Sequence, residues 1–275
     1  MDLNEIRNRL NSIQTKNSPK TERKNVFWRP EVGKQTVRVV PNAFNKSNPF
    51  TEAFFYYGIG PKVMISPTNF GEKDPIAEFA KQLRQTSDSD NWRLAKKLDA
   101  KMRVFAPVIV RGQEDEGVKL WQFGKEMYMD FLNLADNEDV GDFTDVVSGR
   151  DITITTVGPE VTGTSYNKSS IMPKVKETPL SVNGDEVQDW LDNQPNPLEI
   201  FKRHSFDEMK EHLQNWLSPE DEAGEGDIID DEKDEVASPA PQNNYTIKTP
   251  AAKVNNAAKF DSLFDDDSNS DDLPF

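Results

Sequence analysis

Short runs in which Val, Ile and aromatic side chains alternate with polar ones predict an α+β chain with a mainly β core. A helix interrupts these runs and β-α-β units are few. The strands are therefore expected to pair antiparallel and curl into a small barrel elaborated by helices, with a five-stranded barrel of the OB type as first choice. The composition changes at the C-terminal end, where residues 219–275 hold 16 acids and 4 bases around a Ser-, Pro-, Ala-, Gln- and Asn-rich stretch at 237–258. Such a segment buries too little apolar area to offset its chain entropy and is expected to be disordered. The expected organisation is a basic N-terminal segment over 1–24, a folded core over 25–218 and an acidic tail over 219–275.

Leu3, Ile6, Leu10 and Ile13 fall at helical spacing, with Arg7 and Arg9 off the stripe. A helix this short is marginal alone, so it is expected to dock on something. Residues 17–24 form a basic, Pro-containing linker. Strands are expected over 35–40, ending at Pro41, over the aromatic-rich 53–59, over 62–65 after a Gly-Pro turn, over 102–110, and over 118–123 beyond an acidic, Gly-flanked turn at 112–117. Asp74 is placed to cap a helix with Pro75 in its first turn and Ile76, Phe79, Ala80 and Leu83 on its apolar face. Trp92, Ala95 and Leu98 suggest a second helix, and 124–134 a third. Ile and Thr alternate over 150–157, a strand that 161–166 is expected to join across Gly158-Pro159. Ser205 with Glu208 forms a capping box. It opens a helix to Leu217 with Phe206, Met209, Leu213 and Trp216 inward, before Pro219.

Charge is segregated along the chain. Residues 1–120 carry 21 bases and 14 acids, net +7; 121–218 carry net −10 and 219–275 net −12, giving −15 overall. A basic half joined to an acidic tail suits a partner rich in phosphate at one end and a phosphate mimic at the other. Cysteine is absent, which excludes disulfides and thiol catalysis, and the two histidines, His204 and His212, exclude a His-rich metal centre. Walker-type phosphate loops, Gly-x-Ser-x-Gly and His-Glu-x-x-His are all missing. Asp142, Asp145 and Asp151 could hold Mg²⁺ as a nuclease would, but their spacing does not single them out. No catalytic residue or enzymatic activity is expected. No run of 18 apolar residues occurs, and the N-terminus lacks a signal-peptide core, so a soluble intracellular protein with no membrane partner is expected.

What remains is basic residues interleaved with aromatics. Arg38 lies in the first strand and Lys62 follows the aromatic run. Lys101, Arg103 and Arg111 flank the long strand with Phe105. Lys119 and Lys125 bracket Trp121 and Phe123, and Lys168 and Lys174 neighbour Tyr166. A groove for a single strand requires this mixture: cations track phosphates, and rings stack on bases whatever their identity. Phe54, Phe105 and Phe123 are assigned to the core. Trp121, with Lys119 and Gln122 close by in the sequence, and Tyr166, between Ser165 and Asn167, are assigned to the surface.

Four stretches carry a resemblance: Val37-Arg38-Val39-Val40-Pro41, Trp121-Gln122-Phe123-Gly124-Lys125, Val161-Thr162-Gly163-Thr164-Ser165-Tyr166, and Ser205-Phe206-Asp207-Glu208. In this order and spacing, from about residue 34 to 217, the chain resembles the single-stranded-DNA-binding, helix-destabilising proteins of T-even-type bacteriophages. The resemblance implies an OB-containing DNA-binding core, an N-terminal segment making head-to-tail contacts between protomers (here Leu3, Ile6, Arg7, Arg9 and Leu10), and an acidic tail recruiting replication and recombination proteins. Carried over by position, Trp121 and Tyr166 fall at stacking aromatics, and Arg38, Lys101 and Lys125 at basic groove residues. The family's core holds zinc on Cys and His; the corresponding stretch, 69–79, has neither, so no cofactor is expected. The ending Asp271-Asp272-Leu273-Pro274-Phe275 is closer to that of bacterial single-strand-binding proteins. It suits a basic-rimmed pocket on a partner such as a polymerase, helicase loader or primase.

The expectation is thus a sequence-independent, cooperative single-stranded-DNA-binding protein of replication, recombination and repair, in the cytoplasm of a bacterial host. The alternative is an acidic scaffold or DNA mimic.

Overall fold

The computed structural model describes residues 26–217. The helix expected through Leu3, Ile6 and Leu10, with Arg7 and Arg9 beside it, lies outside the described residues. So does the tail with its Asp271, Asp272, Leu273, Pro274 and Phe275 ending. Within the described residues the chain is α+β, with eight strands in one mixed sheet that does not close. It divides into two compact units, one made of 26–52 and 103–200 and the other of 53–102 and 201–217.

The first unit is built on strands β1 (Phe27–Trp28), β2 (Gly33–Val39), β5 (Lys101–Val110), β6 (Lys119–Phe123), β7 (Arg150–Val157) and β8 (Lys168–Glu177), in the order β1-β6-β5-β2-β7-β8. All neighbours are antiparallel except β1 and β6, which run parallel. The expected strands β2, β5, β6 and β7 thus pair antiparallel, and the one parallel pair brings in Phe27–Trp28, where no strand was expected. Register partners share a face. Val37 pairs with Val110 and Ile152, and Trp121 with Ala106, so these residues belong to one apolar side. Helix α3 (Lys125–Ala135) covers that side through Phe131, whose ring lies 5.1 Å from Phe50, 5.4 Å from Phe123 and 5.7 Å from Trp121. On the opposite side, α5 (Gly184–Asp192) brings Trp190 to Val40, Ile109 and Leu180.

The partner expected for β7 at 161–166 is also corrected. Pro159 opens a single helical turn, α4 (Pro159–Thr162), and Gly163 ends it at φ 67° in the left-handed region. The chain returns only afterwards, as β8, whose Lys168 lies opposite Val157.

The second unit contains β3 (Thr51–Tyr56, shared at its start with the first unit), β4 (Met64–Ile65), α1 (Pro75–Gln85), α2 (Ser89–Lys97) and α6 (Phe206–Leu217). Ile76, Phe79, Ala80 and Leu83 of α1 pack with Ala95, Leu98, Met209, Leu213 and Leu217. Asp74 caps α1 by accepting from the Ile76 and Ala77 backbone N–H groups. Its second oxygen accepts from the Tyr56 hydroxyl at 2.9 Å and from the Ser66 hydroxyl. One carboxylate thereby ties the hairpin β3–β4 to the helix, and burial beside it pushes the Tyr56 hydroxyl far above its ordinary range. Of the residues that suggested α2, Ala95 and Leu98 are buried and Trp92 is 53% exposed.

Candidate nucleic-acid interface

The expected basic residues divide into buried and exposed sets. Arg38 is fully buried. Its guanidinium donates to Asp151 at 3.2 Å, to the Thr178 hydroxyl and carbonyl, and to the Asp145 carbonyl. Arg111 donates to the same Asp151 through Nε at 3.0 Å and Nη2 at 2.9 Å, and to the Leu180 carbonyl. Two cations thus share one carboxylate and three backbone carbonyls, and desolvation pulls Arg38 below its ordinary arginine value. The groove role expected of Arg38 is corrected: the 178–180 segment closes over this end of the sheet, so Arg38 braces it from within. Arg111, half-buried, serves the same brace. Arg103 is buried because residues 103–110 of β5 are covered on both faces. Lys119 is buried and pairs with Glu116 at 3.1 Å.

Trp121 is 2% exposed, and its surface placement is corrected. Residues two apart on a strand face the same way. Its ring accordingly lies 4.9 Å from Phe123 and 5.5 Å from Trp28, under α3. No stacking role on a nucleic acid remains for it. Phe105 and Phe123 are in the core, as expected, whereas Phe54 is 37% exposed.

A different surface remains open. On the side of the sheet opposite α3, the half of β2, β7 and β8 away from Trp190 is left open by the described residues. Lys34 and Thr36 on β2 lie opposite Thr155 and Thr153 on β7. These in turn lie opposite Ser170 and Met172 on β8, and Val157 lies opposite Lys168. The cross-strand rows are Lys34–Thr155–Ser170 and Thr36–Thr153–Met172. Lys34, Lys168 and Ser170 are exposed, Thr36, Thr153, Thr155 and Val157 half-buried, and Met172 is 69% exposed. None of these eight positions is acidic. Tyr166, half-exposed, lies at the end of the β7–β8 connection, two residues before Lys168, and the Thr164 hydroxyl donates to its carbonyl at 2.8 Å. The face therefore offers two cations, a row of hydroxyls and a thioether, with Tyr166 two positions before Lys168 in the chain. Of the expected site residues it holds Lys168; Lys34, Thr155, Ser170 and Met172 were missed. The signal for β8 is weak because its polar run Lys168-Ser169-Ser170 and Pro173 read as loop.

Lys125 is exposed at the first turn of α3. Lys62 and Lys101 are exposed in the second unit, where the Lys101 ammonium lies 5.9 Å from the Tyr57 ring centroid. The acids weighed as Mg²⁺ ligands have other work. Asp142 accepts from the Thr144 backbone and hydroxyl, and Asp145 from Val147 and Ser148, which holds it below the usual carboxylate range. Asp151 is held by the two arginines. Among the described residues no group of three or more His, Cys, Asp or Glu is placed to hold a metal ion, and no helix is long and apolar enough to cross a membrane. No protein-family model matches the chain, and no curated protein matches it.

Proposed function

We propose that the chain is a sequence-independent single-stranded-DNA-binding protein that coats unpaired DNA in phage replication, recombination and repair, as its resemblance to the T-even helix-destabilising proteins implies. The observation that carries this reading is the acid-free open face of β2, β7 and β8, with Lys34 and Lys168 for phosphates and Met172, with Tyr166 two positions before Lys168, for bases. The basic N-terminal half of the sequence supports it. We read the open sheet as an OB-type barrel left unclosed, the form in which such a face is reachable. Head-to-tail self-contacts through Leu3, Ile6 and Leu10, and recruitment of replication proteins through Asp271 to Phe275, complete the proposal.

The test is fluorescence anisotropy of the full chain with labelled oligo-dT and with duplex of equal length, over a salt series. Preference for the single strand is expected, with a log–log slope of about −0.7 per phosphate neutralised. Lys34→Ala and Lys168→Ala should each remove about 0.7 from that slope. Tyr166→Ala should weaken binding about tenfold and leave the slope alone, since a ring releases no counterions. Equal affinity for duplex and single strand would sink the proposal. A second reading, an acidic scaffold or DNA mimic, is favoured by the net charge of −15; it requires that no oligonucleotide bind.

A further inference from the structure

In the second unit an arginine lies over a ring. The Arg203 Cζ is 3.6 Å from the centroid of Phe70. Arg203 is exposed, and among the described residues its guanidinium makes no hydrogen bond or ion pair, so its N–H donors face solvent. Both halves of this stack are held from behind. Phe70 ends the 3-10 turn Pro67–Phe70, which Ser66 caps at one end and Gly71 terminates at φ 72°. The Asn69 side chain fastens the same turn to β3, donating to the Phe54 and Ser66 carbonyls at 2.9 and 2.8 Å and accepting from the Phe54 N–H at 2.9 Å. On the other side, the Phe201 ring lies edge-on to Phe55 at 4.7 Å. Ser205 and Glu208 close a reciprocal capping box, and Lys202 pairs with Glu208 at 3.2 Å. Arg203 is therefore anchored two residues away on each flank, and one face of its guanidinium is spent on Phe70.

We propose that the outer face of Arg203 is a second base-stacking platform, taking an unpaired nucleobase in a Phe70–Arg203–base sandwich while its in-plane N–H groups meet the flanking phosphates. The inference rests on the single-strand reading and adds a contact in the unit that does not hold the open sheet face. A guanidinium stacks on any base because every base has a π-face, and it is weakly hydrated, so covering it costs little. An ammonium at the same place keeps the charge and loses the plane.

That difference is the test. Full-length protein and the Arg203→Lys variant are titrated with oligo-dT and with an abasic strand of the same length, across a salt series. Arg203→Lys should bind oligo-dT about tenfold more weakly with an unchanged salt slope. On the abasic strand the two proteins should bind alike. Phe70→Leu, which keeps the apolar contact area and loses the ring, should lower oligo-dT affinity in the same direction, with thermal unfolding confirming that it is folded. If Arg203→Lys binds oligo-dT within twofold of the parent, or loses as much on the abasic strand, the platform is refuted while single-strand binding by the parent stands. If the parent binds no single strand at all, the underlying reading fails and the platform with it.

Discussion

Arg38 and Trp121 are the residues whose meaning changes most between sequence and structure. Each belongs to a type that a single-strand groove needs, and each is buried. Arg38 turns inward because Asp151 and the Thr178 carbonyl meet it there. Its partner is 113 positions away in sequence, too far for any local pattern to point to. The brace has a measurable cost of removal. Asp151→Ala leaves the buried Arg38 guanidinium and the half-buried Arg111 guanidinium without their shared carboxylate. It should destabilise the fold by about 3–5 kcal/mol, the usual penalty for breaking a buried ion pair from one side. Urea unfolding checks this; a change below about 1 kcal/mol would show that the backbone carbonyls alone satisfy both arginines. Tyr166 and Lys168, by contrast, are where local polarity placed them, because a turn and an edge strand answer mainly to their immediate neighbours.

At the scale of elements, the helices with chemical start signals were the most legible. Asp74-Pro75 opens α1, and Ser205 and Glu208 exchange both capping bonds at the head of α6: Ser205 N–H to the Glu208 carboxylate at 3.0 Å, and Glu208 N–H to the Ser205 hydroxyl at 3.2 Å. α5 escaped notice because its apolar side rests on only Val187, Trp190 and Leu191, with Asn183 as its cap. The head of α6 is also pH-sensitive. The Ser205 N–H, then the Lys202 ammonium, hold the Glu208 carboxyl below its ordinary range. Burial, then Lys202 and His212, hold the His204 imidazole below its ordinary value despite Glu208 at 3.4 Å. Both depressed groups bind protons more readily in the unfolded chain, so stability rises with pH through both windows. The His204 contribution is complete above about pH 6.5 and lost as pH falls below it; the Glu208 contribution is complete above about pH 4.5 and lost below that. The expected outcome is a thermal midpoint that falls from pH 7 to pH 5 and falls again toward pH 3. In His204→Phe the first decline should be shallower; an identical profile in that variant would exclude His204 as its source.

For the whole molecule, the dominant fact is the separation of charge, with net +7 over 1–120 and net −12 over 219–275. Chain connectivity keeps the acidic segment at high local concentration near any cationic surface of the same molecule. Removing 219–275 changes the net charge from −15 to −3 and should tighten binding to oligo-dT at low salt. The gap between full-length and shortened chains should narrow as salt screens the competition. Equal affinities at low salt would show that the acidic segment does not compete for the proposed strand-binding surface.

By itself the sequence determined the strands and helices with strong local signals, the caps, the charge segregation and the absence of cysteine chemistry, since these depend on residues within a turn or two of one another. Only the tertiary structure decided which face of the sheet is covered, that the sheet stays open, and that Arg38 and Trp121 are sealed while Lys34, Ser170 and Met172 line the exposed face. Exposure is a property of what packs above a residue. The segments that do the packing here, α3 on one side and residues 178–190 on the other, come from distant parts of the chain.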